Sequence, residues 1–394
     1  MTRRVLGASI VALALAPPAH AGEVGRIPLD RIMYDVVADP AGGAWVLHTK
    51  DFQRTEVTRL DAGRPARSST RLRGRPGGAA VGPDGNLWLE ASERVHRIDR
   101  EARRSIVTRF LGAESIEPAL AAGPDGTMWA ATNVNHRLAR ISSAGVVSAS
   151  PFPAPPCDEG TEITDIARAS DGAMWIADAD CRRLVRVPVE GAASVVSLGE
   201  LEPAQLEPDL AGGVWFTADD LVGHSGGARH TVKAVRDIAV TSDGTILAAD
   251  GSCTLKRIGG APVPAPLPAA RIDVAGGNLY VASATRVFQN LDGGSCDDTP
   301  PKVTLRPRRL SLAAFKRGAL RVTVKEPAHL AFFVEEEEFF HDKIMSRAGT
   351  WRVKPSKAAL RRIGNRRSFY FVLTATDADG YDGGTDGYIR LTTR

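Results

Sequence analysis

Apolar residues in this chain come in short runs, each preceded by a glycine-containing turn and followed by a stretch in which basic and aliphatic residues alternate. The pattern repeats. Gly82-Pro-Asp-Gly-Asn-Leu-Trp88, Gly123-Pro-Asp-Gly-Thr-Met-Trp129 and Ser170-Asp-Gly-Ala-Met-Trp175 lead to Arg94-Val-His-Arg-Ile98, Arg137-Leu-Ala-Arg-Ile141 and Arg183-Leu-Val-Arg-Val187. Looser copies at Pro40–Trp45, Leu210–Trp215, Ser242–Leu247 and Val274–Tyr280 complete a set of seven. The anchor positions, 45, 88, 129, 175, 215, 247 and 280, are spaced by 43, 41, 46, 40, 32 and 33 residues. A step near 40 fits one four-stranded propeller blade.

Within a unit, Asp-Gly or Gly-Gly supplies the positive φ that a tight two-residue hairpin demands, so it joins a first strand to a second. The anchor then lies on the second strand. Around it, Met128-Trp129-Ala130-Ala131 does not alternate, as expected of a strand covered on both faces by adjacent sheets. Arg137–Ile141 alternates better and suits a third strand nearer the rim. The last unit ends one strand short: after Arg286–Leu291 the chain runs directly to Asp292-Gly-Gly-Ser-Cys296. An orphan strand, Gly25–Leu29, precedes the first unit and is expected to close the ring as the outer strand of blade seven, because an open ring leaves unpaired edges.

Past residue 296 the repeat stops. Strand-like runs at Leu320–Val324, Leu330–Val334 and Phe369–Thr376 predict a β-sandwich, and Pro355–Ile363 carries a Ser-capped helical turn. The fold class expected is therefore all-β: a seven-bladed β-propeller over 22–295, a linker over 296–302, and a sandwich over 303–394.

The N-terminal end adds a destination. Met1-Thr-Arg-Arg4, the apolar stretch Val5–Leu15 and the small-x-small triplet Ala19-His-Ala21 read as a secretory signal peptide, residues 1–21, cleaved after Ala21. The Arg3-Arg4 pair also matches part of a twin-arginine signal. The apolar stretch is about half of the roughly 20 residues that span a bilayer, and no later stretch is longer, so the expectation is a secreted or cell-envelope protein with no transmembrane segment. At 394 residues, 43% apolar and 24% charged, the composition is that of a globular protein of two or three domains, here expected to be monomeric. A formal charge of +4, with no basic stripe interleaved with aromatics, argues against a nucleic-acid partner. Four cysteines form an even set without metal-type spacing, which in an exported chain reads as two disulfides. Cys157 enters blade four and Cys181 lies in its second-to-third strand loop on the same face, so they pair; Cys253 and Cys296 pair by remainder.

Candidate chemistry follows from the frame. Ligands of propellers sit over the axis where the inner strands begin, and the residue ten before each anchor is Asp35, Gly78, Ala119, Asp165, Gln205, Asp237 or Ala270. Tyr34 flanks Asp35, and Asp178 and Asp250 follow the second strands of blades four and six. Tyr34, Asp35, Asp165, Asp178, Gln205, Asp237 and Asp250 are thus the ligand-binding candidates. Converging carboxylates hold a hard cation, calcium or magnesium, or hydrogen-bond a sugar; equally, Asp at strand starts caps turns and stays solvated. Asp377, Asp379 and Asp382 concentrate as in a calcium loop, or simply as in a hairpin connection. Gly223-His-Ser-Gly-Gly227 spells the G-x-S-x-G of a serine hydrolase, but that motif works on a strand-to-helix elbow and here falls between strands.

The repeat segments, with Phe152-Pro-Ala-Pro155 ahead of the fourth unit, resemble those of the virginiamycin B (streptogramin) lyase family over about residues 26–291. The resemblance implies a seven-bladed propeller. Related propellers share these turns, so the likeness is specific for fold and weak for function. Enzymes of that family open a macrocyclic lactone by elimination, using magnesium and a Glu-Pro-His-Gly element ten residues before the Trp position, with a Glu shortly after it. The matching stretch here is Pro268-Ala-Ala-Arg-Ile272, which puts Ala270 at the His position and Pro268 and Ala284 at the Glu positions. Proton abstraction then has no agent. Thr299-Pro-Pro-Lys-Val303, Glu326-Pro-Ala328 and Thr376-Asp-Ala-Asp-Gly380 resemble bacterial immunoglobulin-like domains, which act as spacers or adhesive modules. The function expected is a non-catalytic propeller binding a small molecule, glycan or protein at its axial mouth. The alternatives are a metal-dependent lyase or lactonase with a relocated acidic site, and a scaffold that binds partners on the blade rims.

Overall fold

A computed structural model describes residues 22–392 apart from 27–31, 50–53, 62–66, 75, 93, 110–118, 133–136, 155–156, 158–161, 284–285, 292–295, 297–298, 300, 335–337, 346, 356–359, 361–367 and 377–381. The expected signal segment lies outside the described residues.

Each repeat unit folds as a four-stranded antiparallel sheet, and there are seven such sheets among the described residues. The second strands carry the anchors and are buried on both faces: Ala44–Thr49, Leu87–Ala91 and Met174–Asp178 are buried throughout. That is why they lack alternation. Outer strands such as Ser194–Ser197 are largely exposed. The seven inner strands are Ile32–Ala38, Pro76–Val81, Ala119–Ala122, Ile163–Arg168, Leu206–Pro208, Asp237–Val240 and Arg271–Ala275; they touch one another in chain order, and the last touches the first.

The turns differ from expectation. In the second sheet Gly82 N–H donates to Asn86 O and Gly85 N–H to Gly82 O, so the loop is the three residues Pro83-Asp84-Gly85, with Gly85 at φ 72°. The first, fourth and sixth sheets repeat this arrangement, with Gly42, Gly172 and Gly244 at positive φ, and the fifth keeps its outer bond, Asp209 N–H to Gly213 O, with Gly212 at positive φ. A type I turn closed by a left-handed residue suits glycine and explains why Asp precedes it. Only the last sheet has the two-residue turn, Gly276-Gly277, between the paired Ala275 and Asn278.

The turn Asp, the anchor and the third strand form one recurring cluster. Trp88 Nε1 donates to Asp84 at 2.9 Å and Trp129 Nε1 to Asp125 at 3.3 Å. Across the strand pair, Arg97 reaches Asp84 at 3.4 Å, and Arg140 lies 4.4 Å over the Trp129 ring while its guanidinium approaches Asp125. The basic residues of the third strands thus serve the anchors.

Closure uses both ends of the chain. Gly22–Arg26 pairs with Arg286–Gln289 as the outer strand of the last sheet, three residues earlier than Gly25–Leu29, of which 27–29 lie outside the described residues. Tyr280 of the last sheet accepts the Gly43 N–H of the first at 2.8 Å. Both disulfides form as paired above, Cys157–Cys181 and Cys253–Cys296.

Beyond residue 302, a three-stranded sheet of Val303–Arg306, Leu320–Val324 and Gly349–Val353 shares one core with a five-stranded sheet. The latter contains Arg309–Ser311, Asp382–Thr392, Ser368–Thr376, Ala328–Val334 and Glu338–Met345. Phe315, Val322, Leu330, Phe371 and Ile389 fill the core. Phe315 arrives on a short helix, Leu312–Lys316, whose N-cap Ser311 accepts from Ala314 N–H. The capped turn expected within Pro355–Ile363 lies for the most part outside the described residues.

Candidate functional site

Inner strands converge on the axis, so whatever side chains they carry at the mouth meet there. A cavity of about 420 Å³ is lined by Asp35, Asp165, Gln205, Glu207, Asp237 and Asp273, and a second of about 360 Å³ by Tyr34, Asp35, Thr164, Asp165, Gln205 and Arg271. The far side of the second is built of Gly77, Gly78, Ala79, Ala119 and Leu120, so one arc is polar and the other small or apolar. In the first and fourth inner strands the ladder bulges at Tyr34 and Thr164, immediately before the two acids.

Five of the seven predicted residues, Tyr34, Asp35, Asp165, Gln205 and Asp237, therefore line the axial space. Asp178 and Asp250 line neither cavity. Asp178 is fully buried, takes Arg183 Nε at 2.8 Å, and supports the loop carrying Cys181. Asp250 accepts Ser252 N–H at 3.0 Å and pairs with Lys256 at 3.4 Å. Asp377 and Asp379 lie outside the described residues, and Asp382 begins the strand Asp382–Thr392. Glu207, Asp273 and Arg271 join the site without having been anticipated. Counting ten back from Tyr280 gives Ala270, but the last hairpin is one residue shorter than the others, so Arg271 takes that level: it pairs with Ala282, two past the anchor, as Asp165 pairs with Ala177. Glu207 and Asp273 stand one step deeper, each paired with an anchor, Trp215 or Tyr280.

The acids are not equivalent. Asp165 accepts Ile166 N–H at 2.7 Å and, from the next sheet, Leu206 N–H at 2.8 Å. Asp237 likewise takes Ile238 and Ile272 N–H at 3.0 and 2.9 Å, and Asp273 takes Val274 and Ala38 at 2.7 and 2.6 Å. These three staple the fourth inner strand to the fifth, the sixth to the seventh and the seventh to the first. Asp35 receives only Val36 N–H at 2.8 Å, and Glu207 has no hydrogen-bond partner among the described residues. Gln205 Oε1 is buried without a partner. Arg271 is occupied by backbone, donating to Tyr34 O at 3.1 Å, Arg236 O at 3.0 Å and Ala270 O at 3.3 Å.

Burial raises every acid in the group. It brings Asp35 to about 7 against the attraction of Arg271, and Asp165 to about 7 against its two amide donors. Asp273 reaches about 6 for the same reason. Asp237 stands well above the usual carboxylate range through burial, and Glu207 does so through burial and then the charges of Asp273, Asp237, Asp165 and Asp35.

The magnesium implied by the family resemblance does not fit this donor set. Three of the five acids commit both oxygens to backbone amides, and no three His, Cys, Asp or Glu side chains among the described residues converge as ligands. Moving the catalytic register from Ala270 to Arg271 supplies no base either. The Gly223–Gly227 motif has another explanation. His224 sits opposite Trp215, where five of the other six sheets place Arg, and gives Nε2–H to Asp209 at 2.7 Å while Nδ1 accepts Gly226 N–H at 3.0 Å. Neither nitrogen is available to activate Ser225.

The sequence profile of the virginiamycin B lyase family matches residues 19–249. No curated protein matches the chain in sequence. Among solved structures, a streptogramin B lyase is similar at 15% identity and TM-score 0.57, over 69% of this chain and 98% of that one. A catalytically inactive histidine-to-alanine virginiamycin B lyase from Staphylococcus aureus, with quinupristin, aligns at 16% identity and TM-score 0.55, over 69% and 99%. The extracellular domain of a putative one-component system from B. thetaiotaomicron covers 96% of this chain and 62% of its own at 10% identity and TM-score 0.51. These structural likenesses are likenesses of fold. No helix among the described residues is long and apolar enough to cross a membrane.

Proposed function

The chain belongs to the virginiamycin B lyase family, and from that premise we propose that it is an exported, monomeric seven-bladed propeller that binds a polar small molecule or glycan at its axial mouth without transforming it. One observation carries this reading: both oxygens of Glu207 and one of Asp35 border the axial cavity, beside a buried Gln205 oxygen, with no described protein donor to serve them. Unmet polar groups in a pocket of this size are what a polar ligand completes. The absence of a base at either catalytic register supports binding over lactone opening.

The propeller spans 22–295 and is joined through 296–302 to an immunoglobulin-like sandwich, 303–394, that serves as spacer or adhesive module. The closed succession of inner-strand contacts and the separate core of the last two sheets support that division. Two disulfides and the likeness to an extracellular domain support export.

A screen of the mature protein against immobilised glycans and polar small molecules tests the reading. At least one class should bind, and Glu207→Ala should abolish binding while the fold is retained. Incubation with a streptogramin B lactone and magnesium should leave the ring intact. Ring opening, or binding indifferent to Glu207→Ala, would overturn the proposal.

A further inference from the structure

The three groups left unmet at the axis are all acceptors: both oxygens of Glu207, the second oxygen of Asp35, and Gln205 Oε1. They line one cavity of about 420 Å³. Neither guanidinium on the axial cavities serves them: Arg271 is already spread over three backbone carbonyls, and Arg168 at the exposed edge makes no hydrogen bond or ion pair with them. The stapling acids Asp165, Asp237 and Asp273 face the same space, so five carboxyl groups stand against two guanidiniums.

We propose that the axial cavity takes the primary ammonium group of a small organic ligand, held by Glu207, Asp35 and Gln205. The inference rests on the mouth-binding reading above and names its ligand class. An ammonium brings three donors and no acceptor, enough to reach Glu207, Asp35 and Gln205 Oε1 together. A hydroxyl brings one donor with lone pairs of its own and no charge to pair with a carboxylate. A divalent ion needs converging ligands, which the described residues lack. The small-residue arc of Gly77, Gly78 and Ala79 leaves room for the body of the ligand beside the polar arc. Burial brings Asp35 to about 7 and raises Glu207 as well, so an ammonium that pairs with their charged forms displaces protons, and binding releases them.

Calorimetry of the mature full-length protein with a matched pair, glucosamine and glucose, and with 1,4-diaminobutane and 1,4-butanediol, separates the classes. The amines should bind at least about tenfold more tightly than their hydroxyl counterparts. Their apparent enthalpy at pH 7 should vary with the ionisation enthalpy of the buffer, and binding should weaken at pH 5. Glu207→Gln, which keeps the side-chain shape, should remove both the tenfold preference and the proton release; Gln205→Ala provides a second variant if the first fails to fold. Equal affinity for the hydroxyl partners, no heat from any amine at millimolar concentration, or saturable magnesium binding that displaces the amine overturns the ammonium assignment. A screen of glycans and polar small molecules that still finds a ligand lost in Glu207→Ala leaves the mouth-binding reading standing in any of those cases.

Discussion

The two glycines of each Gly-Pro-Asp-Gly turn answer to different constraints. A Cβ on Gly123 would meet Cδ1 and Nε1 of Trp129 at 2.3 Å, and one on Gly82 would meet the same atoms of Trp88, because the indole lies flat on the turn that its Nε1 helps to close. A Cβ on Gly126 would meet nothing within 4 Å; that glycine is required only by its φ of 77°. Gly123→Ala should therefore cost about 2 kcal/mol through overpacking, and Gly126→Ala about 1 kcal/mol through left-handed strain. Urea unfolding of the two variants checks the order, and the reverse order would show that the indole can shift. The motif is legible in sequence as a hairpin. Its first glycine is explained only by the ring packed against it.

Between elements, the unexpected device is the stapling carboxylate. Sheets in a ring share no backbone ladder, so their inner strands need another polar link. Asp165, Asp237 and Asp273 supply it by accepting one amide from their own strand and one from the next. Asp273 joins the last sheet to the first through Ala38 N–H, alongside the strand Gly22–Arg26 and the Tyr280 hydroxyl. Asp273→Ala leaves two amides without partners and should cost about 2 kcal/mol. Asp250→Ala, which breaks a partly exposed pair with Lys256, should stay within about 0.5 kcal/mol. Chemical denaturation with a common baseline compares them. Asp at the start of a strand was readable as a mouth residue; that the same carboxylate reaches across to a neighbouring sheet was not, because the acceptor's second donor lies 35 to 41 residues away, or 235 across the closure.

For the whole molecule the axial acids set the pH response. Asp35 and Asp165 titrate near 7 and Asp273 near 6, with Asp237 and Glu207 raised as well, so the folded state keeps protons that the unfolded chain releases near pH 4. Their stabilising contribution is full below about pH 4 and is lost as pH rises through 6 to 7. Surface acids held low, such as Asp243 at about 2, act in the opposite sense only below about pH 4. His96, lowered to about 4 mainly by burial, opposes the axial group between its ordinary value and pH 4, one residue against five. The thermal midpoint should therefore be higher at pH 5 than at pH 8, and Glu207→Gln should flatten the difference. A midpoint that rises steadily from pH 5 to pH 8 would show that the cluster is ionised without cost.

The sequence by itself determined the seven units, the strand order within each and the closing role of the N-terminal segment, because hairpin turns, anchors and alternation are local properties of a few adjacent residues. The tertiary structure alone decided which acids meet at the axis. Glu207 and Arg271 gain their places from strand register and from a last hairpin shortened by one residue, and no residue count made from the anchors registers that change. Their protonation, and the contrast between stapling and unmet carboxylates, arise from neighbours contributed by different sheets, which become neighbours only when the ring closes.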